Sequence, residues 1–295
     1  MNDLLKLLES MKGKKSSVFG QKTMKEYFKD HSRIQSPSSI NTYFECPRKY
    51  FYKYIKKIPT KPNIYRIRGK IIHSVLEDFF SLDPSKLSNS SFVCEIKVVM
   101  LEDFKRKWLS FKNEFSKLDL SNEKLSMFYE DSKRMIANFL DYYLEKLNEM
   151  LKHYSLIKGF QLLVPKRELY LESKRFNVRG YIDALYEGEK TRIIDYKTSS
   201  TDELREEYKR QLAIYSLLYR ESYGKLPDEV GIHFLLYSLK LIPVTPSLVK
   251  LGEKACEFVH SRTGSGNIQD YPKGDHPLCK WSSGECDYYD ICNRV

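Results

Sequence analysis

The 295-residue chain is 41% hydrophobic, enough to bury the core of one large domain, or of one domain with an insert. Lys and Arg total 50 against 39 Asp and Glu, and the formal net charge of +11 favours an anionic partner, most commonly nucleic acid. No apolar run approaches the roughly 20 residues that cross a bilayer. The opening MNDLLKLLESMKGKK has no secretory apolar region and no arginine precedes Arg33, so an intracellular protein is expected, with six cysteines that act as ligands or free thiols.

Residues 1–35 read as a peripheral segment, a short amphipathic helix followed by a polar, basic stretch. Ser36 offers an N-cap with Pro37 in the first helical position, and Pro47 disfavours helical geometry at Cys46, so a short helix should end there. From Arg68 to Phe80, Ile72, Val75, Leu76, Phe79 and Phe80 recur at helical spacing. Residues 95–118 and 121–153 read as two further helices, the second carrying a stripe from Leu125 through Phe139 to Leu151 that serves core packing. The period then changes. FQLLVPKRELYLES, RFNVRGYIDALY and TRIIDYKT alternate or run apolar over strand length. A helix is expected from Asp202 to Tyr223, with S-T-D-E at 200–203 as its capping box. EVGIHFLLYS and KLIPV are two more strands, and a last helix lies around 247–262.

The order predicts an α/β (α+β) chain with a mixed sheet flanked by helices. Its parts are the peripheral segment 1–35, N-terminal helices 36–80, a helical insert 81–160, a core 161–262 and an irregular Cys-rich tail 263–295.

Within IIDYK, Asp195 and Lys197 project from one face of a strand. The preceding strand carries Asp183, and the short EGEK connection makes the two strands an antiparallel hairpin. Asp183 faces Asp195 only if opposed residues sum to 378, which needs an odd loop centred on Glu189 or a bulge. Two facing carboxylates repel, and a divalent cation, Mg²⁺ or Mn²⁺, removes that cost. Lys197 beside them would hold an attacking water or stabilise charge developing on a phosphate, as half of a metal-dependent phosphodiester-cleaving site. On the following helix Gln211 sits on the apolar stripe one turn before Tyr215, where a buried amide needs partners. His73, with Glu77 one turn later, could complete the coordination and favour Mn²⁺. Each residue alone has a plain structural reading, an exposed Asp–Lys pair or a backbone-bonded Gln.

GKIIH, GYID, IIDYK and QLAIY occur in the order and spacing of the RecB-like PD-(D/E)XK nucleases, and the chain resembles that family over roughly residues 36–295. The resemblance implies a restriction-endonuclease-like fold. It also implies a metal bound by His73, Asp183, Asp195 and the main-chain carbonyl of Tyr196, and a catalytic Lys197 supported by Gln211 and Tyr215. Glu168 looks like the family's additional acid, with Glu172 also available.

Cys279, Cys286 and Cys292 lie in the tail, with Cys46 more than 200 residues earlier. Zinc knuckles usually space adjacent cysteines more tightly. One cysteine plus three is how nucleases of the AddB and CRISPR-associated kinds bind a [4Fe–4S] cluster, and Ser36, Ser38, Ile40, Cys46, Pro47 and Arg48 are similar to their entry motif. Zinc in the same thiolates and plain free cysteines are the alternatives; Cys94 and Cys256 are expected to be buried. RKYFYKYIKK at 48–57 interleaves cations with aromatics, so Arg48, Lys49, Tyr50 and Lys53 are candidates for contacting unpaired DNA, or else the tyrosines face the core. The resemblance thus implies a Mg- or Mn-dependent deoxyribonuclease, an exonuclease of single strands or ends, with CRISPR adaptation proteins as possible partners. A repair or viral nuclease, a non-catalytic DNA-binding subunit and an iron–sulfur electron carrier are the other readings.

Overall fold

The computed structural model describes residues 33–274, 279–281 and 284–293. The amphipathic helix expected near the N-terminus lies outside them. Residue 35 is not peripheral: Gln35 is fully buried, bridges Val178, and donates from its amide to the Tyr50 hydroxyl at 2.8 Å.

Helix α1 (Pro37–Glu45) starts as the sequence predicts. Ser36 accepts from the Ser39 amide, Ser39 returns the bond, and Pro37 occupies the first turn. Cys46 is extended, at φ −161° and ψ 115°, because Pro47 follows. Helix α2 (Pro47–Tyr50) then runs into a π-turn at Phe51–Ile55. Next come α3 (Ile64–Phe79), α4 (Phe92–Ser110), α5 (Lys112–Phe115), α6 (Asn122–Leu151) and α7 (Leu156–Leu163).

Helix α7 corrects the expectation of a strand from Phe160. Ser155 caps it, its apolar residues pack toward α6, and the strand begins only after Pro165. Strands β1 (Lys166–Ser173), β2 (Val178–Tyr186) and β3 (Arg192–Lys197) follow, then α8 (Glu206–Tyr223), β4 (Glu229–Phe234), β5 (Leu239–Pro243) and α9 (Pro246–Arg262). Helix α8 starts four residues later than expected. The capping box expected at 200–203 does not form: the Asp202 carboxylate is held by Lys240 at 2.7 Å, and Arg205 takes the N-cap position without a side-chain bond. The tail holds β6 (Lys280–Trp281), β7 (Gly284–Glu285) and α10 (Tyr289–Asn293). Cys256 is buried, but Cys94 is exposed, against the expectation.

The five-stranded sheet runs β1-β2-β3-β4-β5, antiparallel except for the parallel β3–β4 pair, which is joined through α8. One face is covered by α1, α8 and α9, through Ile40, Leu212, Leu218 and Val259 against Ile182, Ile193 and Ile232. The other is covered by α3, α4, α6 and α7, packed on Ala184, Ile194 and Tyr196. Central strand β3 is therefore buried on both sides, as its apolar run implies. Helix α6 lies on the sheet, with Phe139 5.8 Å from Tyr196 between ring centroids and the Asn138 amide donating to the Leu235 carbonyl at 3.0 Å.

Helices α8 and α9 meet at Gly252, where an added Cβ would stand 2.6 Å from the Ala213 carbonyl oxygen. Gly252→Val is expected to lower stability by about 1–3 kcal/mol, read as a reduced urea midpoint, because the obstacle is backbone that cannot swing aside.

Candidate metal centre

The acidic hairpin has the expected register as far as Ala184, but its regular pairing stops before Asp183, whose carboxylate turns to His73 and Glu168 while that of Asp195 turns to α8. Ala184 pairs with Ile194 and Leu185 with Ile193, each summing to 378, and the odd loop 187–191 joins the strands. Asp195 stands on the α8 side of β3, 2% exposed. A buried carboxylate needs compensation, and three groups supply it. Lys197 Nζ lies 2.6 Å from Oδ2; Gln211 Nε2 donates to Oδ1 at 2.8 Å and Tyr215 OH at 3.4 Å. Gln211 also reaches the Tyr215 hydroxyl at 2.9 Å, the one-turn pairing that the sequence spacing implied. Burial works to lower the Lys197 pKa, but Asp195 and then Asp183 outweigh it, so the ammonium is held above its ordinary range. The Tyr215 hydroxyl is pushed well up by burial and by Asp195, and stays a neutral donor.

Asp183 ends an alternation on β2 in which Arg179, Tyr181 and Asp183 point away from α8. Its Oδ2 accepts from the Tyr196 amide at 2.9 Å, where the ladder between β2 and β3 gives way, and lies 3.6 Å from His73 Nδ1. Burial and the neighbouring Asp195 raise its pKa well above 3.8, against the opposing pull of Lys197 and the Tyr196 amide.

On β1, Glu168 sits opposite Asp183 by register, at a gap in the pairing between Arg167↔Ala184 and Leu169↔Ile182. Its φ is +44°, a left-handed conformation that glutamate rarely adopts and that costs on the order of 1 kcal/mol or more. The strained backbone gives up a ladder bond and leaves the carboxylate beside His73 and Asp183. Burial raises the Glu168 pKa, His73 opposing. Glu172, the sequence's other candidate, lies two residues along and accepts from the Tyr170 hydroxyl instead.

His73 projects from α3 with Nε2 3.0 Å from the Tyr196 carbonyl oxygen. Burial holds its pKa down, Asp195 opposing, so the imidazole is neutral with a lone pair to offer near neutral pH. Among the described residues, His73, Glu168 and Asp183 place donor atoms within 4.8 Å of one another, around a small cavity of about 10 Å³ that Tyr196 also lines.

These residues fit a divalent cation. Imidazole, carboxylates and a carbonyl are the donors that Mg²⁺ and Mn²⁺ accept. Donors in adjacent octahedral positions at about 2.1 Å from an ion stand about 3 Å apart, the spacing of His73 Nε2 and the Tyr196 carbonyl. Asp195 Oδ2 is buried with no well-aligned hydrogen bond.

The sequence reading missed Arg68. It is 3% exposed on the apolar face of α3, and its Nη2 donates to the Thr198 carbonyl at 2.5 Å, immediately after Lys197. Its guanidinium lies 5.1 Å from the Phe128 ring of α6. The signal was present, since Ile64, Ile67, Ile71, Ile72 and Val75 mark a buried stripe in which a lone arginine needs a partner. Arg68→Ala is expected to destabilise the fold by about 1–3 kcal/mol in urea unfolding, because a buried carbonyl loses its donor.

The stretch 48–57 corrects the expectation of a DNA-contacting surface. Tyr50 is fully buried, and Arg48 is 6% exposed with Nε donating to the Tyr271 carbonyl at 2.7 Å. Lys49 pairs with Glu45 at 2.6 Å, and Lys53 lies 5.1 Å from the Tyr54 ring. The helical period turns the aromatics inward, onto α9 and the tail.

At the tail, Cys46, Cys279, Cys286 and Cys292 are half-buried. Burial pushes the Cys286 and Cys292 thiols up; Cys46 adds to both shifts and Cys279 to the second, so Cys46 lies near Cys286 and Cys292, and Cys279 near Cys292. The Cys286 amide donates to the Cys279 carbonyl at 3.0 Å, and the Tyr288 hydroxyl anchors the tail on the Ile58 carbonyl at 2.9 Å.

A five-stranded mixed sheet between helical layers, with acids and a lysine where β2 and β3 part, defines a restriction-endonuclease-like fold with a possible acidic metal site. The chain belongs to the PD-(D/E)XK nuclease superfamily, whose sequence profile matches residues 35–293. No curated protein matches the chain. Among solved structures, a protein from Eubacterium rectale named in the words "Putative exonuclease" is similar in fold, with a TM-score of 0.50 and 12% identity. The match covers 94% of this chain and 100% of that one. PD-(D/E)XK nucleases use divalent metals, and no described helix is long and apolar enough to cross a membrane.

Proposed function

We propose that the chain is a metal-dependent DNA nuclease that hydrolyses phosphodiester bonds, acting as an exonuclease on single strands or DNA ends. The buried Asp195, held 2.6 Å from Lys197 and beside Asp183, carries this reading. In it, His73, Asp183 and the Tyr196 carbonyl hold a Mg²⁺ or Mn²⁺ ion with Glu168 as a further acid, and Asp195, which stands outside the His73–Glu168–Asp183 cluster, turns an oxygen to the same ion. When bound, such an ion polarises the scissile phosphate and favours ionisation of a water.

The protein's own groups do the rest. Gln211 and Tyr215 fix Oδ1 of Asp195, which leaves Oδ2 on the side of Lys197. The Lys197 ammonium, kept charged by both aspartates, orients the attacking water and stabilises negative charge on the phosphate oxygens. Neutral His73 and the Tyr196 carbonyl contribute donors that do not add to the negative charge of the acids.

The tail is proposed to bind a [4Fe–4S] cluster through Cys46, Cys279, Cys286 and Cys292. Four thiolates suffice as ligands, and coordination relieves the burial that pushes Cys286 and Cys292 toward the protonated thiol. Its role is structural, tying the last residues to the start of α2. Anaerobically purified protein should contain iron and sulfide, which Cys286→Ser removes; zinc in their place would overturn the cluster assignment.

The nuclease reading is tested by incubating the protein with end-labelled single- and double-stranded DNA and Mn²⁺, beside Lys197→Ala. Metal-dependent release of short products by the wild type alone supports it. Equal cutting by both proteins, or none by either, sinks it.

A further inference from the structure

The solvent face of the β1–β2 hairpin carries an ordered row of side chains that leads away from the metal centre. On β1, Lys166, Glu168 and Tyr170 are exposed while Leu171 and Ser173 are buried. On β2, Arg179 and Tyr181 are exposed while Val178, Gly180 and Ile182 are buried. The register sets Glu172 against Arg179 and Tyr170 against Tyr181, and the same register continues to Glu168 opposite Asp183. The face therefore presents three successive cross-strand positions: the acids of the metal centre, a pair of tyrosines, and a Glu–Arg pair. Each step is two residues, about 6.6–6.8 Å along the strands.

Tyr170 and Tyr181 are 41% and 57% exposed. Their centroids lie 5.2 Å apart with the planes at 58°. A cross-strand aromatic pair helps to hold a hairpin, but that role does not require residues left this open. The helices that cover this side of the sheet pack on Ala184, Ile194 and Tyr196, toward the other strands. Arg179 adds a cation beside the Tyr170 hydroxyl, and the chain as a whole carries +11.

We propose that Tyr170 and Tyr181 form a stacking platform for the bases of a single strand whose phosphate enters the metal centre. Every base has a π-face, so such a platform grips a strand without reading its sequence. In a duplex the bases are stacked on one another, so the tyrosines favour unpaired ends. Arg179 at the far end of the row meets the backbone. This inference rests on the nuclease reading for its choice of strand, and it names the part of the substrate that reading leaves open.

Binding is measured in EDTA, where no cutting occurs, by fluorescence anisotropy of three labelled probes: an oligothymidylate, the same strand with abasic residues, and a duplex. Replacing both tyrosines by alanine is expected to weaken oligothymidylate binding roughly 10- to 100-fold. Binding of the abasic strand and the duplex should stay at wild-type values. Tyr170→Phe/Tyr181→Phe should bind oligothymidylate like the wild type, because the ring does the gripping. Wild-type oligothymidylate binding by the alanine pair overturns the proposal, as does an equal loss on the abasic strand or a loss in the phenylalanine pair as large as in the alanine pair. A protein that cuts no DNA but binds oligothymidylate through the tyrosines would end the nuclease reading and leave the platform standing. One that cuts DNA while its alanine pair binds normally would do the reverse.

Discussion

Asp195→Asn is expected to reduce Mn²⁺-dependent DNA cleavage by roughly 10³-fold or more, equivalent to about 4 kcal/mol of barrier, while leaving the fold intact. The size follows from how many interactions converge on this carboxylate. It is buried, receives Gln211 and Tyr215 on one oxygen, and faces Lys197 across 2.6 Å on the other. An amide keeps the volume but removes the negative charge that a cation and Lys197 both require. Lys197→Ala should lower the rate by about 10²- to 10³-fold, the usual range for a lost charge-stabilising donor. Arginine should not restore it, because a planar fork cannot take the place of a compact ammonium. Gln211→Ala acts only by loosening Asp195, so a loss nearer 10-fold is expected. Single-turnover rates on end-labelled DNA, with thermal melting as the check on folding, measure all four. An Asp195→Asn protein that cuts at the wild-type rate would remove Asp195 from the chemistry.

Much of this centre was legible in the sequence because it is built from short-range regularities. Asp195 and Lys197 share an environment because strand side chains repeat every two residues, and Gln211 meets Tyr215 because helix side chains meet after one turn. The hairpin register could be reduced to one number, the sum of opposed positions, and residues 184–186 have that number, but pairing stops before Asp183, which the sum alone did not foresee. What stayed hidden depends on contacts between distant parts. Nothing local in KRELYL shows that Glu168 leaves ordinary strand geometry, or that its carboxylate joins His73 and Asp183 from other elements. Nor does RKYFYKY say which way its rings point. Alternating cations and aromatics suit a DNA surface and an amphipathic helix equally, and the choice was made by α9 and the tail, which bury Tyr50. The helix at Leu156–Leu163 was missed for a related reason. An apolar run of that length is ambiguous by period, and Ser155 as its cap decided the matter.

Asp183→Asn should make the metal-free protein more stable while removing its response to Mn²⁺. The reasoning starts from the raised pKa of Asp183, whose causes are burial first and the Asp195 charge second. A carboxyl whose folded pKa exceeds its ordinary 3.8 binds its proton more tightly in the folded chain than in the unfolded one. Its contribution to stability is complete below the unfolded value and is lost as pH rises through the folded value. Near neutral pH, above the unfolded value, the metal-free fold therefore bears a cost at this acid, to which Glu168, whose pKa burial also raises, adds. A cation reverses the sign of this effect. It binds the deprotonated acids, so the Mn²⁺-induced rise in melting temperature should be greater at higher pH than at lower pH, with protons released on binding. The amide variant has no charge to relieve. Its metal-free form should gain on the order of 1 kcal/mol over wild type near neutral pH, at the expense of activity. Calorimetric melting of both proteins with and without Mn²⁺, at two pH values, reads every part of this. A wild-type melting temperature that Mn²⁺ leaves unchanged at both would show that these acids do not gather around an ion. If instead Mn²⁺ raises it equally in Asp183→Asn, the ion sits elsewhere.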